Sequence, residues 1–235
     1  ATKPGAYTRF ETDFTLTLGG ITIPIARRYS SLDANEDGAF GYGWQFVLAD
    51  PRIATNAAPT GRELDGYYAA FTAGTRVYLT LPDGTRAGFT FTPVVIDSGD
   101  RSYFRPAWQA DAGVAFTLSS GPAVLRAIDG GYFEVGTGLP YNPASGRFSD
   151  FDYVVSAADG TRFVYTLADG LREIVSTTGQ RVVWTDSGIV AADGSRISIE
   201  RNAAGRIARI VGPDGTQAIY DYDTAGNLLQ VSILE

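Results

Sequence analysis

Apolar and polar residues alternate along most of this chain with the two-residue period of strands, not the 3.6-residue period of helices. Phe14, Leu16 and Leu18 alternate with threonines, Gly19-Gly20 follows, and Ile21, Ile23 and Ile25 then alternate with Thr22 and Pro24. Two alternating runs about a Gly-Gly pair predict a β-hairpin. Pro24 has no N–H for a ladder and belongs at a strand edge or bulge. Thr75–Leu81 and Arg86–Phe91 flank Pro82-Asp83-Gly84-Thr85. There Pro presets φ and Gly supplies a positive φ, so a second hairpin is expected. No long stretch carries apolar residues at i, i+3, i+4 and i+7, and the expected fold class is all-β, an antiparallel hairpin ribbon or curved sheet with little or no helix.

Turn signals become regular towards the C-terminus. Glycines fall at Gly160, Gly170, Gly179, Gly188, Gly194, Gly205, Gly215 and Gly226, with short β-rich runs such as Val182-Val183-Trp184 and Ile197-Ser198-Ile199 between them. One turn roughly every ten residues is the interval of consecutive hairpin-linked strands. Each hairpin has too little core to stand alone, so the hairpins are expected to stack. The stretch from Asp50 to Phe151 is proline-rich and less regular, with loops expected at Thr55–Ala70, Asp97–Asp111 and Gly136–Asp150. The organisation read from the chain is an irregular β region over 1–150 and hairpin repeats over 151–235, in one continuous β body.

Composition narrows the chemistry. The 235 residues are 44% hydrophobic and 19% charged, enough to bury a core. His and Cys are absent, which excludes Ser-His-Asp and Cys-His nucleophile systems, zinc sites built on those residues, and disulfides. Carboxylates are the remaining route to acid–base catalysis, and a glycosidase needs two across a cleft. Asp65, Asp111, Glu134 and Asp150 lie in or beside the loop-rich middle, but no spacing brings two together, so a non-enzymatic protein is expected. The net charge of −7 and an isoelectric point near 4.7 disfavour nucleic acid and anionic membrane surfaces. The longest apolar runs are about six residues against the roughly 20 of a bilayer span, so no membrane insertion is expected. Lys3 is the only lysine; the arginines, scattered about one per strand, are expected to pair with acidic neighbours at the surface.

Two further patterns suggest ligands. Asp33-Ala34-Asn35-Glu36-Asp37-Gly38 spells the front half of a calcium loop, with Asp33, Asn35 and Asp37 at alternate positions and a glycine at the sixth. The twelfth position, where a bidentate Glu belongs, is Trp44. The favoured reading is a solvated acidic loop between strands, and the alternative is a weak calcium site. Trp44 and Trp108 are candidate sugar-stacking platforms, against the commoner role of aromatic residues in cross-strand packing. No other cofactor is expected.

Ile219-Tyr220-Asp221-Tyr222-Asp223-Thr224-Ala225-Gly226-Asn227-Leu228 resembles the YD repeat, in which Tyr220, Tyr222, Asp223, Gly226 and Leu228 hold the motif positions. Ser198–Ile210 is a weaker copy with Arg201-Asn202 in place of Tyr-Asp. Thr12-Asp13-Phe14, Arg27-Arg28-Tyr29-Ser30-Ser31 and Phe40-Gly41-Tyr42-Gly43-Trp44 resemble the domain that precedes such repeats in bacterial Rhs-like, teneurin-type proteins. The resemblance implies a segment of a large secreted or cell-surface bacterial protein, structural or adhesive, whose partners are the neighbouring domains of the parent chain, with glycans as the alternative ligand. About two YD units are recognisable, too few to close the β-shells that family members form, and no self-cleavage segment or toxin domain is seen.

Overall fold

A computed structural model describes residues 5–99, 102–145 and 153–235. The fold is all-β: strands and bridges account for 52% of the described residues, and the helical 4% is made of 3-10 turns. The chain divides into two compact units, one of Ala1–Asp50, Pro82–Gly84 and Glu173–Glu235, the other of Pro51–Leu81 and Thr85–Arg172. This division differs from a boundary at 150/151. The first 50 residues belong with the C-terminal repeats because their apolar faces are buried together, a long-range pairing that leaves no trace in local sequence.

The first unit opens with the expected hairpin, longer than the alternation alone marks. Thr8–Leu18 pairs antiparallel with Ile21–Ser30, and Trp44–Phe46 adds to the other edge of the second strand. Leu16, Leu18, Ile21, Ile23 and Ile25 are buried while the intervening threonines are exposed, the alternation expected of a sheet with one face on a core. One residue breaks the register. Thr12 pairs with Ala26 and Phe14 with Ile25, so Asp13 is the extra residue of a β-bulge.

The rest of this unit is the hairpin ribbon. Gly170–Val175, Arg181–Thr185, Gly188–Ala191, Arg196–Arg201, Ile207–Val211, Gln217–Tyr222 and Leu228–Leu234 each pair antiparallel with the next. Five of its turns have one geometry. In the turn Asn202–Arg206, Asn202 N–H donates to Arg206 O and Gly205 N–H to Asn202 O; the same pair of bonds recurs at Ser176–Gln180, Ala191–Ser195, Gly212–Thr216 and Asp223–Asn227. The fourth residue is a glycine at φ between 82° and 94° in all five. This is a type I turn followed by a left-handed residue, the three-residue hairpin loop. It explains the Asp-Gly-Ser/Thr recurrence, because the Asp carboxylate accepts the N–H two residues on, Asp193 from Ser195 at 2.9 Å and Asp214 from Thr216 at 3.0 Å.

The second unit holds a sheet in the order Trp108–Ala110, Arg86–Phe91, Arg76–Thr80, Ala54–Thr55, and another in the order Gly131–Glu134, Leu125–Ile128, Ser102–Arg105, Val94–Ser98. Thr117–Ser120, Tyr153–Ser156 and Arg162–Thr166 pair in series. Its core is aromatic: Phe91 lies within 6 Å of Phe71, Trp108, Tyr132 and Tyr141. The expected Pro-Asp-Gly hairpin is present, Arg76–Thr80 on Arg86–Phe91. A loop over Asp97–Asp111 is not what forms. Ser102–Arg105 and Trp108–Ala110 are strands, because Phe104 packs edge-on to Tyr132 and Trp108 against Phe91; these anchors are too short to show as alternation. From Asn56 to Ala70 the chain is loop apart from a 3-10 turn at Glu63–Asp65, and from Gly136 to Ser145 apart from one at Pro143–Ser145.

Candidate functional site

The motif residues at the two ends of the sequence meet in the first unit. The bulge turns the Asp13 carboxylate inward, where it accepts two hydrogen bonds at 2.9 Å from Arg27, one from Nε and one from Nη2. The hydroxyl of Tyr220, from the YD segment, donates to the other side of the same carboxylate at 3.0 Å. The Asp13 and Arg27 side chains retain only 5% and 12% of their exposure, so this ion pair is buried, unlike the surface pairing expected of the arginines. Burial pushes the Tyr220 phenol well above its usual range, and the adjacent Asp13 adds to the rise. The Arg27 guanidinium also lies 4.5 Å over the Trp44 ring.

A second contact lies beside it. Arg206 grips Asp37 with two hydrogen bonds, Nε at 2.6 Å and Nη2 at 2.7 Å, which raises the arginine's already high pKa. The backbone joins in, with Ile207 N–H donating to Ala39 O at 2.8 Å. Phe40, fully buried, stacks tilted on Tyr220 at 4.7 Å and on Phe46 at 5.4 Å, and Phe46 meets Trp184 edge-on. The Tyr222 hydroxyl donates to Ile207 O at 2.6 Å, and burial raises this phenol as well.

The Phe-Gly-Tyr-Gly-Trp string now has a physical reading. Gly41 sits at φ +87°, and a Cβ there would lie 2.5 Å from the Gly226 carbonyl oxygen, so the absent side chain lets two turns touch backbone to backbone. Gly43, at φ +76°, would drive a Cβ into the Tyr29 ring. Phe40 fills the core between them.

The sequence candidates fall out as follows. Asp37 is engaged by Arg206, and Asp33 closes a 3-10 turn, Ser31–Asp33. No group of three or more acidic side chains close enough to hold a metal ion occurs among the described residues. Trp44 packs on Tyr29 and under Arg27. Trp108 packs against Phe71, Phe91 and Tyr153, and its Nε1–H donates to Ser120 Oγ at 3.1 Å, so both rings serve in packing. In the YD segment Tyr220 is buried and Asp221 exposed. Asp223 accepts from the backbone and side chain of Asn227, which lowers its pKa. Leu228 follows the turn and pairs with Tyr222.

The carboxylates of the middle region are each occupied separately. Asp65 meets Arg62 at the surface and Asp111 meets Arg76 at 2.6 Å. Burial opposes ionisation of Glu134, but hydrogen bonds from Thr137 and Gly136 outweigh it and hold its pKa low. Asp150 lies outside the described residues. A cavity of about 490 Å³ in the second unit is lined by Tyr67, Tyr68, Leu139, Pro140, Asp65 and Ser145, and the Tyr67 ring is 56% exposed.

Sequence reasoning missed Asp13, Arg27, Asp37 and Arg206 as partners. A regular hairpin register gave no reason to turn Asp13 inward, and nothing local links Asp37 to a residue 169 positions away.

Compared with protein families, residues 2–58 match a domain of unknown function (DUF6531) and residues 201–232 match the RHS repeat. No curated protein matches the chain. Asp13, Arg27, Asp37, Phe40 and Gly41 all lie in the first matched segment, and Arg206, Tyr220, Tyr222 and Gly226 in the second.

Proposed function

We propose that the chain is part of an Rhs-like repeat protein, supported by the matches to the RHS repeat at 201–232 and to DUF6531 at 2–58, and that its N-terminal segment is a non-enzymatic cap that orders the hairpin repeats of a scaffold. The observation that carries this reading is the seam itself. Residues of the two matched segments are spent on each other: Asp13, itself paired with Arg27, on Tyr220, Asp37 on Arg206, Phe40 on Tyr220, and the Gly41 backbone on that of Gly226. A ribbon of hairpins needs a terminal element to cover its apolar face, and the first 50 residues do that. At the other end of the ribbon, Leu228–Leu234 is an edge strand carrying exposed Leu229, Ile233 and Leu234. The RHS repeat match supports a secreted or cell-surface location, and no helix among the described residues is long and apolar enough to cross a membrane.

The test is limited proteolysis of the full chain and of Arg206→Ala and Asp13→Ala. Cleavage in residues 5–50 should accelerate in both variants. A rate equal to that of the parent chain would sink the cap reading.

A second reading, carbohydrate binding, rests on the groove beside Tyr67 and Tyr68, where an exposed ring, an apolar wall and the Asp65 carboxylate face one cavity. It moves the sugar platform away from Trp44 and Trp108. A glycan array with the parent chain and Tyr67→Ala tests it; binding that survives the substitution removes this groove as the site.

A further inference from the structure

The sheet Gly131–Glu134, Leu125–Ile128, Ser102–Arg105, Val94–Ser98 has one face against the aromatic core. Phe104 and Tyr132 meet at 5.2 Å there, and Tyr132 continues to Phe91. On the opposite face Arg105 and Arg126 are exposed, and Tyr103 and Phe133 are half-buried. The register places a single row across it. Val135 N–H donates to Val124 O, Phe104 pairs with Leu125 and so sets Arg105 beside Val124, and Arg105 pairs with Val94. One step along the same face, Phe133 pairs with Arg126. Val94, Val124 and Val135 are exposed by 41%, 44% and 46%.

Two features characterise this face. Val124 and Val135 are adjacent exposed aliphatic side chains, with Val94 beyond Arg105, and an exposed apolar patch rimmed by polar residues marks an interaction site. The face also carries positive charge: Arg105 and Arg126 are exposed and, like Arg162 and Arg196 elsewhere, have no acidic partner among the described residues. Asp97, across from Tyr103 in the second row, turns its carboxylate to its own loop and accepts from Gly99 N–H.

We propose that this face docks an acidic segment of a protein partner, one that sets apolar side chains against the valines and carboxylates on Arg105 and Arg126. The charge argument is complementarity: in a chain of net charge −7, two unpaired guanidinium groups among valines form a local basic spot that steers an anionic partner here and away from the remaining surface. The exposed apolar groups of the row are valines, whereas Tyr103 and Phe133 on the same face are half-buried, so the face offers aliphatic contacts to a peptide's side chains more than flat rings to a sugar. The guanidinium forks suit carboxylates bidentately.

The probe is a fluorescein-labelled peptide of alternating glutamate and valine, titrated with the full chain by anisotropy, beside a lysine–valine peptide and polygalacturonate. The glutamate–valine peptide should bind. Its affinity should fall by about tenfold or more in the double variant Arg105→Glu, Arg126→Glu, and that variant should take up the lysine–valine peptide instead. Val124→Ser should weaken binding without changing the charge preference. Arg126→Gln serves as the reading if circular dichroism shows the double variant unfolded, and it should weaken the glutamate–valine peptide. Absence of peptide binding by the parent chain, or equal binding by the arginine variants, overturns the proposal. Arginine-dependent binding of polygalacturonate without peptide binding also overturns it and makes the face a glycan site.

Discussion

Asp13 shows how much one carboxylate can hold. It sits at a bulge, accepts from Arg27 and Tyr220, and ties a first-hairpin strand to a strand some two hundred positions later. Removing one member of a buried ion pair strands the other charge, so Asp13→Ala should destabilise the first unit by about 3–5 kcal/mol. Tyr220→Phe removes one hydrogen bond to an ion and should cost about 1.5–3 kcal/mol, read from denaturant midpoints. The two raised phenols give a pH signature. Tyr220 and Tyr222 are favoured in their neutral form by the fold, so their contribution is fully present below the unfolded tyrosine pKa of about 10 and drains away as pH rises beyond it. Stability should therefore fall in alkali, and Tyr222→Phe should flatten that limb. In the acidic loop Asp37 is held by Arg206, so melting temperatures in calcium and in chelator should coincide; a calcium-dependent rise that Asp37→Ala abolishes would support a calcium site.

At the scale of the element, the ribbon's turns are set by dihedral angles before contacts. Gly205 and Gly215 lie at φ +84° and +90°, and a Cβ at either would meet nothing within 4 Å. Replacing either by Ala should cost only the left-handed strain, about 1–2 kcal/mol. Gly41→Ala carries that strain and a backbone collision with Gly226 besides, so its loss should be larger and should free the N-terminal hairpin to proteases. The acidic turn residues add a pH dependence of opposite sense to the tyrosines. Hydrogen bonds from Ser195 depress Asp193, and those from Asn227 depress Asp223. Their contribution is present above the unfolded Asp pKa of about 4 and is lost as pH falls through the folded value. Urea midpoints should fall in acid, less steeply in Asp223→Asn. These turns were legible in the sequence because each loop needs a Gly at its fourth position, with positive φ, and small polar residues around it. The strands of Ser102–Arg105 and Trp108–Ala110 were not, because short strands are defined by what Phe104 and Trp108 pack against.

The whole molecule is divided by packing between distant segments, not by sequence order. All-β character, the first hairpin and the repeats could be read from alternation and turn chemistry. That residues 5–50 belong with 173–235 could not, since Phe40 meeting Tyr220 and Asp37 meeting Arg206 depend on contacts that no local pattern encodes. Phe40→Ala should empty a packed aromatic site at about 3–5 kcal/mol, and hydrogen exchange should show protection falling together in residues 5–50 and 173–235. The separation of 169 residues between Asp37 and Arg206 also sets a delay. A ribosome adding about 5–20 residues per second takes roughly 10 to 30 seconds to cover it. For most of that interval Ile23, Ile25, Phe40 and Phe46 have been made while the ribbon that completes their burial, from Trp184 to Tyr220, has not. The N-terminal hairpin therefore waits for the repeats, and a chain interrupted before them carries an incompletely covered apolar sheet that a cell's holdases and proteases can recognise as unfinished.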